Sequence, residues 1–452
     1  MPNPHPRFGN QKHSTSISTP STMTSIHIPR AGGWLPQDPA LLQKWLGKLV
    51  ARIESRRSVA PLLPVLEEFK TLIETDATIF MLFNQMFHQI PHKPPYNNDP
   101  TGKPQVRSYE MMLQCFNEII QTAPEFQADS GLVGFPINAI IDWPMGTPSG
   151  FAAFLNEKVN TQMAAMLDVW ATYLQTPDSA SVLNTDPEKG WFGAEAMAQE
   201  QMKDFDITYI CDPEAIHKGF TSWDDFFTRQ FRPNVRPVEA AEDDWVINNA
   251  CESAPYNIQK NVGERDKFWI KGQPYSISHM FDQDPYYKQF IGGTVYQAFL
   301  SALCYHRWHS PVKGKVEKVL MVPGTYYSEA RIAGFDEAAP NESQGYITEV
   351  ATRALVFIQA DNDDIGLMCF MAVGMAEVSS CDVLVKEGDR VEKGQQIGMF
   401  HFGGSTHCLI FRPGVQVLFQ LPEAPGLNAS VLPVNSAIAM VKPRILEEQK
   451  KA

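Results

Sequence analysis

The sequence has no CxxC pair among its seven cysteines, and their number is odd and their spacing wide. That pattern excludes a zinc ribbon and gives no disulfide framework, and it fits a reducing compartment. No uncharged apolar run approaches the length of a membrane span. The longest, Ile365 to Ala376, has the length of a buried strand. No basic run offsets the balance of 38 basic against 51 acidic residues, and the formal charge of -13 disfavours nucleic acid phosphates and anionic lipid surfaces. Glycine-rich phosphate loops and the HExxH pattern are also missing. What is present is ordinary globular composition, 44% hydrophobic and 20% charged over 452 residues, enough for two or three domains.

Residues 1–36 carry no acidic residue and are rich in Ser, Thr, Pro and His, a composition expected to stay disordered, with a transit peptide as the alternative. Cytoplasmic localisation is the expectation, mitochondrial the weaker alternative. Helical periodicity follows in Leu42, Trp45, Leu46, Leu49 and Ile53, then in Leu62, Leu66, Phe69, Leu72 and Ile73, and again in Met112, Cys115, Phe116, Ile119 and Ile120. Residues 91–104 are dense in turn formers and read as a surface loop. A long helix is expected from about Gly150 to Gln175, its Met and aromatic stripe read as core with no site in 38–175. Ser222 with Asp225 reads as a capping box opening a short aromatic helix, with Arg229 and Arg232 on its solvent side.

Beyond Trp245 the pattern turns to short β-type runs, from VINNACESAPYNI and KFWIKGQPYSI through RALVFIQAD to CDVLVKEGDRVEKGQQIGMF. Glycines at 388, 394 and 398, with Val385, Val391 and Ile397 between them, have the spacing of barrel-sandwich hairpins, but no carrier lysine context surrounds Lys393. The fold class expected is α+β. A helical N-terminal domain (37–178) and a connecting segment (179–240) precede a β-rich catalytic domain (241–452).

Three groups in the β-rich part can cooperate in chemistry: Glu252, the pair His306 and His309 in YHRWHSP, and Ser405 in GGST. A carboxylate that orients a histidine, and a histidine that takes a serine proton, is a general way to activate a hydroxyl. Each has a plainer reading as surface charge, core hydrogen-bonding group or turn. A G-x-S-x-G hydrolase elbow fails at His407, and the two histidines lack the further ligands a zinc site needs.

FTSWDDFFTRQFRPNVRP, YHRWHSPVKG and GMFHFGGST, in this order, resemble the pyruvoyl-dependent phosphatidylserine decarboxylase family. The resemblance implies a self-processing proenzyme cut between Gly404 and Ser405, with Ser405 converted to a pyruvoyl group and the C-terminal piece kept as a second subunit. It implies that His309 serves processing and His306 decarboxylation through a Schiff base with the substrate amine. It also puts Glu252 where the family usually carries Asp. No metal and no added cofactor are implied.

The stretch GGWLPQDPALLQKWLGKLV is similar to the extra domain of the soluble fungal branch that acts on aromatic L-amino acids such as tryptophan. The substrate expected is therefore a small free amino acid, with no nucleic acid partner. The alternatives are phosphatidylserine, which would bring peripheral membrane contact, and an inactive homologue acting as a binding protein.

Overall fold

A computed structural model describes residues 39–92, 96–126, 134–266, 275–301, 303–330, 343–377, 379–426 and 428–443. The N-terminal tail lies outside these residues, as does most of the KFWIKGQPYSI run. The helical part comprises α1 (Pro39–Glu54), α2 (Pro64–Thr75), α3 (Ala77–Gln85), α4 (Tyr109–Ile119), α5 (Pro136–Met145), α6 (Pro148–Phe154) and α7 (Glu157–Leu174). Short helices α8 (Ala194–Met197), α9 (Phe205–Thr208) and α10 (Trp223–Phe227) then lead to the strands.

Local chemistry sets the helix starts. Asp76, Ser108, Thr147, Asn156 and Ser222 each accept backbone N–H groups as N-caps, and proline opens α2, α5 and α6. The single helix expected over 150–175 is instead two, because Asn156 turns out of the helix and caps α7 with its side chain. Leu155, counted in the stripe, is exposed at that break.

The β-rich part holds β1 (Val246–Asn248), β2 (Ala254–Lys260), β3 (Thr294–Leu300), β4 (Arg307–His309), β5 (Gly314–Val322), β6 (Arg353–Ala360) and β7 (Leu367–Met375). After these come β8 (Cys381–Val383), β9 (Arg390–Val391), β10 (Gln396–Phe400), β11 (Gly404–Phe411), β12 (Gln416–Phe419) and β13 (Ala437–Lys442). Helices α11 (Ile277–Met280) and α12 (Gln344–Val350) interrupt the series, so the described end of the KFWIKGQPYSI run leads into a helix rather than a strand.

A seven-stranded antiparallel sheet in the order β2-β3-β11-β7-β6-β5-β9 is the centre of the molecule. Two three-stranded sheets, β4-β10-β8 and β1-β13-β12, accompany it. Strands β3, β7 and β11 are buried along their whole length. Alternation explains how. Cys369, Met371, Val373, Cys408 and Ile410 join the core of the helical part, while Met368, Phe370, Ala372, Leu409 and Phe411 join the core of the β-sandwich. Such a strand has no polar face, which is why its sequence reads as a continuous apolar run. The fold is α+β, helices first and strands after, as expected.

Candidate active site

Ser405 is the second residue of β11, paired with Leu300 of β3 on one side and Gly374 of β7 on the other. The GGST stretch is therefore not a loop: only His401, Phe402 and Gly403 separate β10 from β11. Period-two alternation puts Ser405 and His407 on the sandwich face and turns Gly404 toward the helical part. Ser405 is fully buried, and among the described residues its Oγ has no hydrogen-bond partner. An unpaired buried hydroxyl is costly and uncommon, and here it belongs to the residue after the Gly404 carbonyl.

The two preceding glycines have no room for a side chain. A Cβ on Gly404 would stand 2.4 Å from Phe135 Cζ and 2.7 Å from the Met375 carbonyl oxygen. At Gly403, whose φ is +153°, it would stand 2.5 Å from Ser379 Oγ. Ser379 packs this close because its N–H donates to the Phe402 carbonyl (2.9 Å) and its Oγ lies 3.2 Å from the Gly404 carbonyl oxygen, within donating distance. That carbonyl precedes Ser405 in the bond where the sequence resemblance implies a cut, and Ser379 stands where an oxyanion donor for such a cut would be needed. Ser379 Oγ also contacts the Ala376 carbonyl and accepts the Met375 N–H at 3.0 Å. Ala376, Glu377 and Ser379 all have positive φ, an unusual cluster for non-glycine residues.

Glu377 anchors that cluster to the helical part. One carboxylate oxygen accepts the N–H groups of Ile137 and Asn138 (3.1 and 3.2 Å) in the first turn of α5. Phe135 and these two residues therefore put part of the site inside 38–175, where sequence reasoning placed none. Burial pushes the Glu377 carboxyl up to about 8, so the fold retains its proton more tightly than the unfolded chain does. The stabilising contribution is complete below about pH 4.5 and is lost as pH rises through about 8. Glu349, which burial also raises to about 8, has the same sign. Glu377→Gln is expected to remove the Glu377 contribution to the pH dependence of stability between those values, read as denaturation midpoints across pH.

The histidines lie on β4 and the turn before it, and β4 pairs with β10, the strand that precedes Ser405 in the chain. His306 is fully buried, its ring stacked on Phe227 with centroids 4.1 Å apart, and its carbonyl accepts the Phe400 N–H (2.9 Å). Burial, then the nearby Arg229 charge, holds its pKa well below the ordinary histidine range, so the ring is neutral. Arg229 itself is not solvent-facing as expected. It is 3% exposed, lies 4.5 Å over Tyr209 and donates to the Leu303 and Cys304 carbonyls, because an aromatic floor and free carbonyls satisfy a buried guanidinium.

His309 Nδ1 lies 2.7 Å from the Gly394 carbonyl, which can only accept, so Nδ1 carries the proton. Nε2 then accepts from the Tyr305 hydroxyl at 2.9 Å. Burial lowers this ring as well.

Glu252 does not orient either histidine. Arg236 grips both its carboxylate oxygens (2.6 to 3.2 Å) and the Val434 N–H donates to it at 2.9 Å, so the acceptor sites that a histidine would need are taken. Its influence reaches His309 only indirectly: Arg236 lies 4.6 Å over Phe231, which stacks on Tyr305 at 4.3 Å, and Tyr305 bonds His309. Glu252→Ala is expected to cost roughly 3 kcal/mol by stranding Arg236, measured as a lower denaturant midpoint.

Sequence reasoning named Ser405, Gly404, His306 and His309; the structure adds Ser379, Glu377 and Phe135, which pack around Gly403 and Gly404 or anchor the residues that do. Sequence reasoning treated His407 only as the residue that spoils a hydrolase motif. His407 is fully buried on the face of Ser405, lowered to about 3 by burial. Among the described residues no group of three or more His, Cys, Asp or Glu side chains could hold a metal ion. Ser405 stands at the head of a buried strand, the Ser379 hydroxyl faces the carbonyl that precedes it, and the pKa of His306 and of His309 is lowered by burial.

Two family models described as phosphatidylserine decarboxylase match the chain, one over residues 63–200 and one over 223–424. Decarboxylase iboD of Amanita muscaria is 46% identical over 68% of this chain and 91% of its own length. The L-tryptophan decarboxylase of Psilocybe cubensis is 34% identical over 91% of this chain and 94% of its own. Phosphatidylserine decarboxylase proenzyme 2 of Oryza sativa subsp. japonica is 31% identical over 43% of this chain and 30% of its own. The chain belongs to the phosphatidylserine decarboxylase family and is a decarboxylase, a carboxy-lyase.

Proposed function

We propose that the chain cuts itself between Gly404 and Ser405 and, through a pyruvoyl group made from Ser405, decarboxylates a free aromatic L-amino acid, tryptophan foremost. The observation that carries this reading is the buried, unpartnered Ser405 Oγ next to a carbonyl that Ser379 Oγ faces at 3.2 Å. In the cut, the Gly404 acyl group moves from the Ser405 nitrogen to its Oγ. β-Elimination then frees the Gly404 carboxylate, and hydrolysis with loss of ammonia leaves a ketone at the new N-terminus. The residues present fit such a group: the strand holds position 405 rigidly on both sides, and the surroundings exclude water.

When formed, the group supplies a ketone that condenses with the substrate amine and draws electrons from the bond to the carboxylate. The chain's own residues do the rest. His306, neutral and stacked on Phe227, has ring nitrogens suited to exchanging a proton without a charge buried beforehand. Phe227 and Phe402, 5.4 Å apart, with Trp170 and Trp223 against Phe402, exclude solvent from that side.

A free amino acid is favoured over a phospholipid because the tryptophan decarboxylase relatives match 91% of the chain, whereas the phosphatidylserine decarboxylase proenzymes match half the chain or less. The charge of -13 and the lack, among the described residues, of a helix long and apolar enough to cross a membrane agree with that choice. Seven cysteines without a disulfide fit a cytoplasmic setting. The test is CO2 release from tryptophan, phenylalanine and phosphatidylserine vesicles; release from vesicles alone would overturn the substrate assignment.

A further inference from the structure

Asn138 is 1% exposed, and among the described residues neither its amide nitrogen nor its amide oxygen has a hydrogen-bond partner. Its backbone N–H is committed to Glu377, which fixes the first turn of α5 and with it the direction of the side chain. The amide borders a cavity of about 10 Å3 whose other walls include Tyr327, Ser328, Ile347 and Met375. Met375 is also the residue that crowds Gly404, its Cε lying 2.7 Å from where a Cβ would stand. A buried amide with both atoms unsatisfied among the described residues, on a cavity that shares its Met375 wall with the packing around Gly404, has the character of a recognition group.

The cavity is too small in the intact chain for anything larger than one water. Cutting after Gly404 removes the covalent tie between this residue and the rest of β11. Met375, held on one side by Gly404 and flexible in its own side chain, can then yield space. The ligand therefore belongs to the processed form.

We propose that Asn138 is a specificity residue: its amide oxygen accepts the ring N–H of an indole-bearing amino acid seated between α5 and residues 325–328. This rests on the proposed decarboxylation of free aromatic amino acids and assigns one residue of the helical part to substrate choice. A site that hydrogen-bonds a substrate N–H discriminates strongly against an analogue without it, whereas a purely apolar pocket separates ring systems weakly.

The test uses processed full-length protein and two amine-free probes, 3-(indol-3-yl)propionate and 3-phenylpropionate, with binding measured by calorimetry. The wild type is expected to prefer the indole acid. Asn138→Leu is expected to reduce that preference about 10- to 100-fold and to lower kcat/KM for tryptophan relative to phenylalanine by a similar factor, mainly through KM. Asn138→Asp, which keeps an acceptor oxygen, should retain the preference, and it decides the question if the leucine variant does not fold. An unchanged ratio in Asn138→Leu, equal losses for both probes, or loss of preference in Asn138→Asp overturns the assignment. A wild type that decarboxylates neither amino acid overturns the underlying reading as well, whereas an active wild type with an unchanged ratio overturns this inference alone.

Discussion

Ser405→Ala is expected to leave the chain in one piece of 452 residues, whereas the wild type should run on a denaturing gel as two fragments meeting at the 404/405 bond. The expectation follows from position. The Oγ is the nucleophile nearest in the chain to the Gly404 carbonyl, and removing it deletes the atom that would carry the acyl group. The glycines upstream keep that carbonyl accessible, since a Cβ at 403 or 404 would collide with Ser379, Phe135 or Met375. CO2 release should vanish together with the small fragment, and intact-mass measurement of that fragment should show an N-terminus lacking an amine. A wild-type protein that stays whole, indistinguishable from the variant, would instead describe an inactive homologue acting as a binding protein.

Ser379→Ala is expected to slow the cut by about 10²- to 10³-fold, the usual loss when one donor to a developing oxyanion is removed. A time course of fragment appearance from freshly translated protein measures it. Ser379 has φ of +40°, so backbone strain is a second cause to be separated from the loss of the hydroxyl. Ser379→Gly separates the two causes, because glycine relieves the backbone and still lacks the hydroxyl. Both variants should be slow. Near-wild-type cutting by either would show that the 3.2 Å approach to the Gly404 carbonyl does not matter for processing.

The contrast between Ser405 and Ser379 shows how far the sequence could be read. Ser405 was legible because its significance is local: two glycines, a hydroxyl and upstream histidines in a recurring order. Ser379 was not, because the carbonyl its hydroxyl approaches is 25 positions away, and the run Ala376 to Ser379 looks like the frayed end of an apolar strand. Glu377 is hidden in the same way; its partners are 239 and 240 residues distant. For Glu252 the sequence supplied the residue but not its direction. Which way a carboxylate turns depends on where Arg236 lies after the chain folds back, and no periodicity encodes that. The strands were legible as runs, since a strand buried on both faces needs apolar residues at every position. Their order in the sheet was not, because neighbours such as β11 and β3 are far apart in sequence.

The position of β11 in the middle of the large sheet has a consequence for any two-piece enzyme. The fragment that begins at Ser405 supplies a central strand, hydrogen-bonded along its length to β3 and β7, while its β13 pairs with β1 near the other end of the catalytic part. Separating the pieces would open the sheet from within, which amounts to unfolding. Mature protein should therefore not exchange fragments between molecules, and an inactive chain could not be rescued by mixing it with the small fragment of an active one.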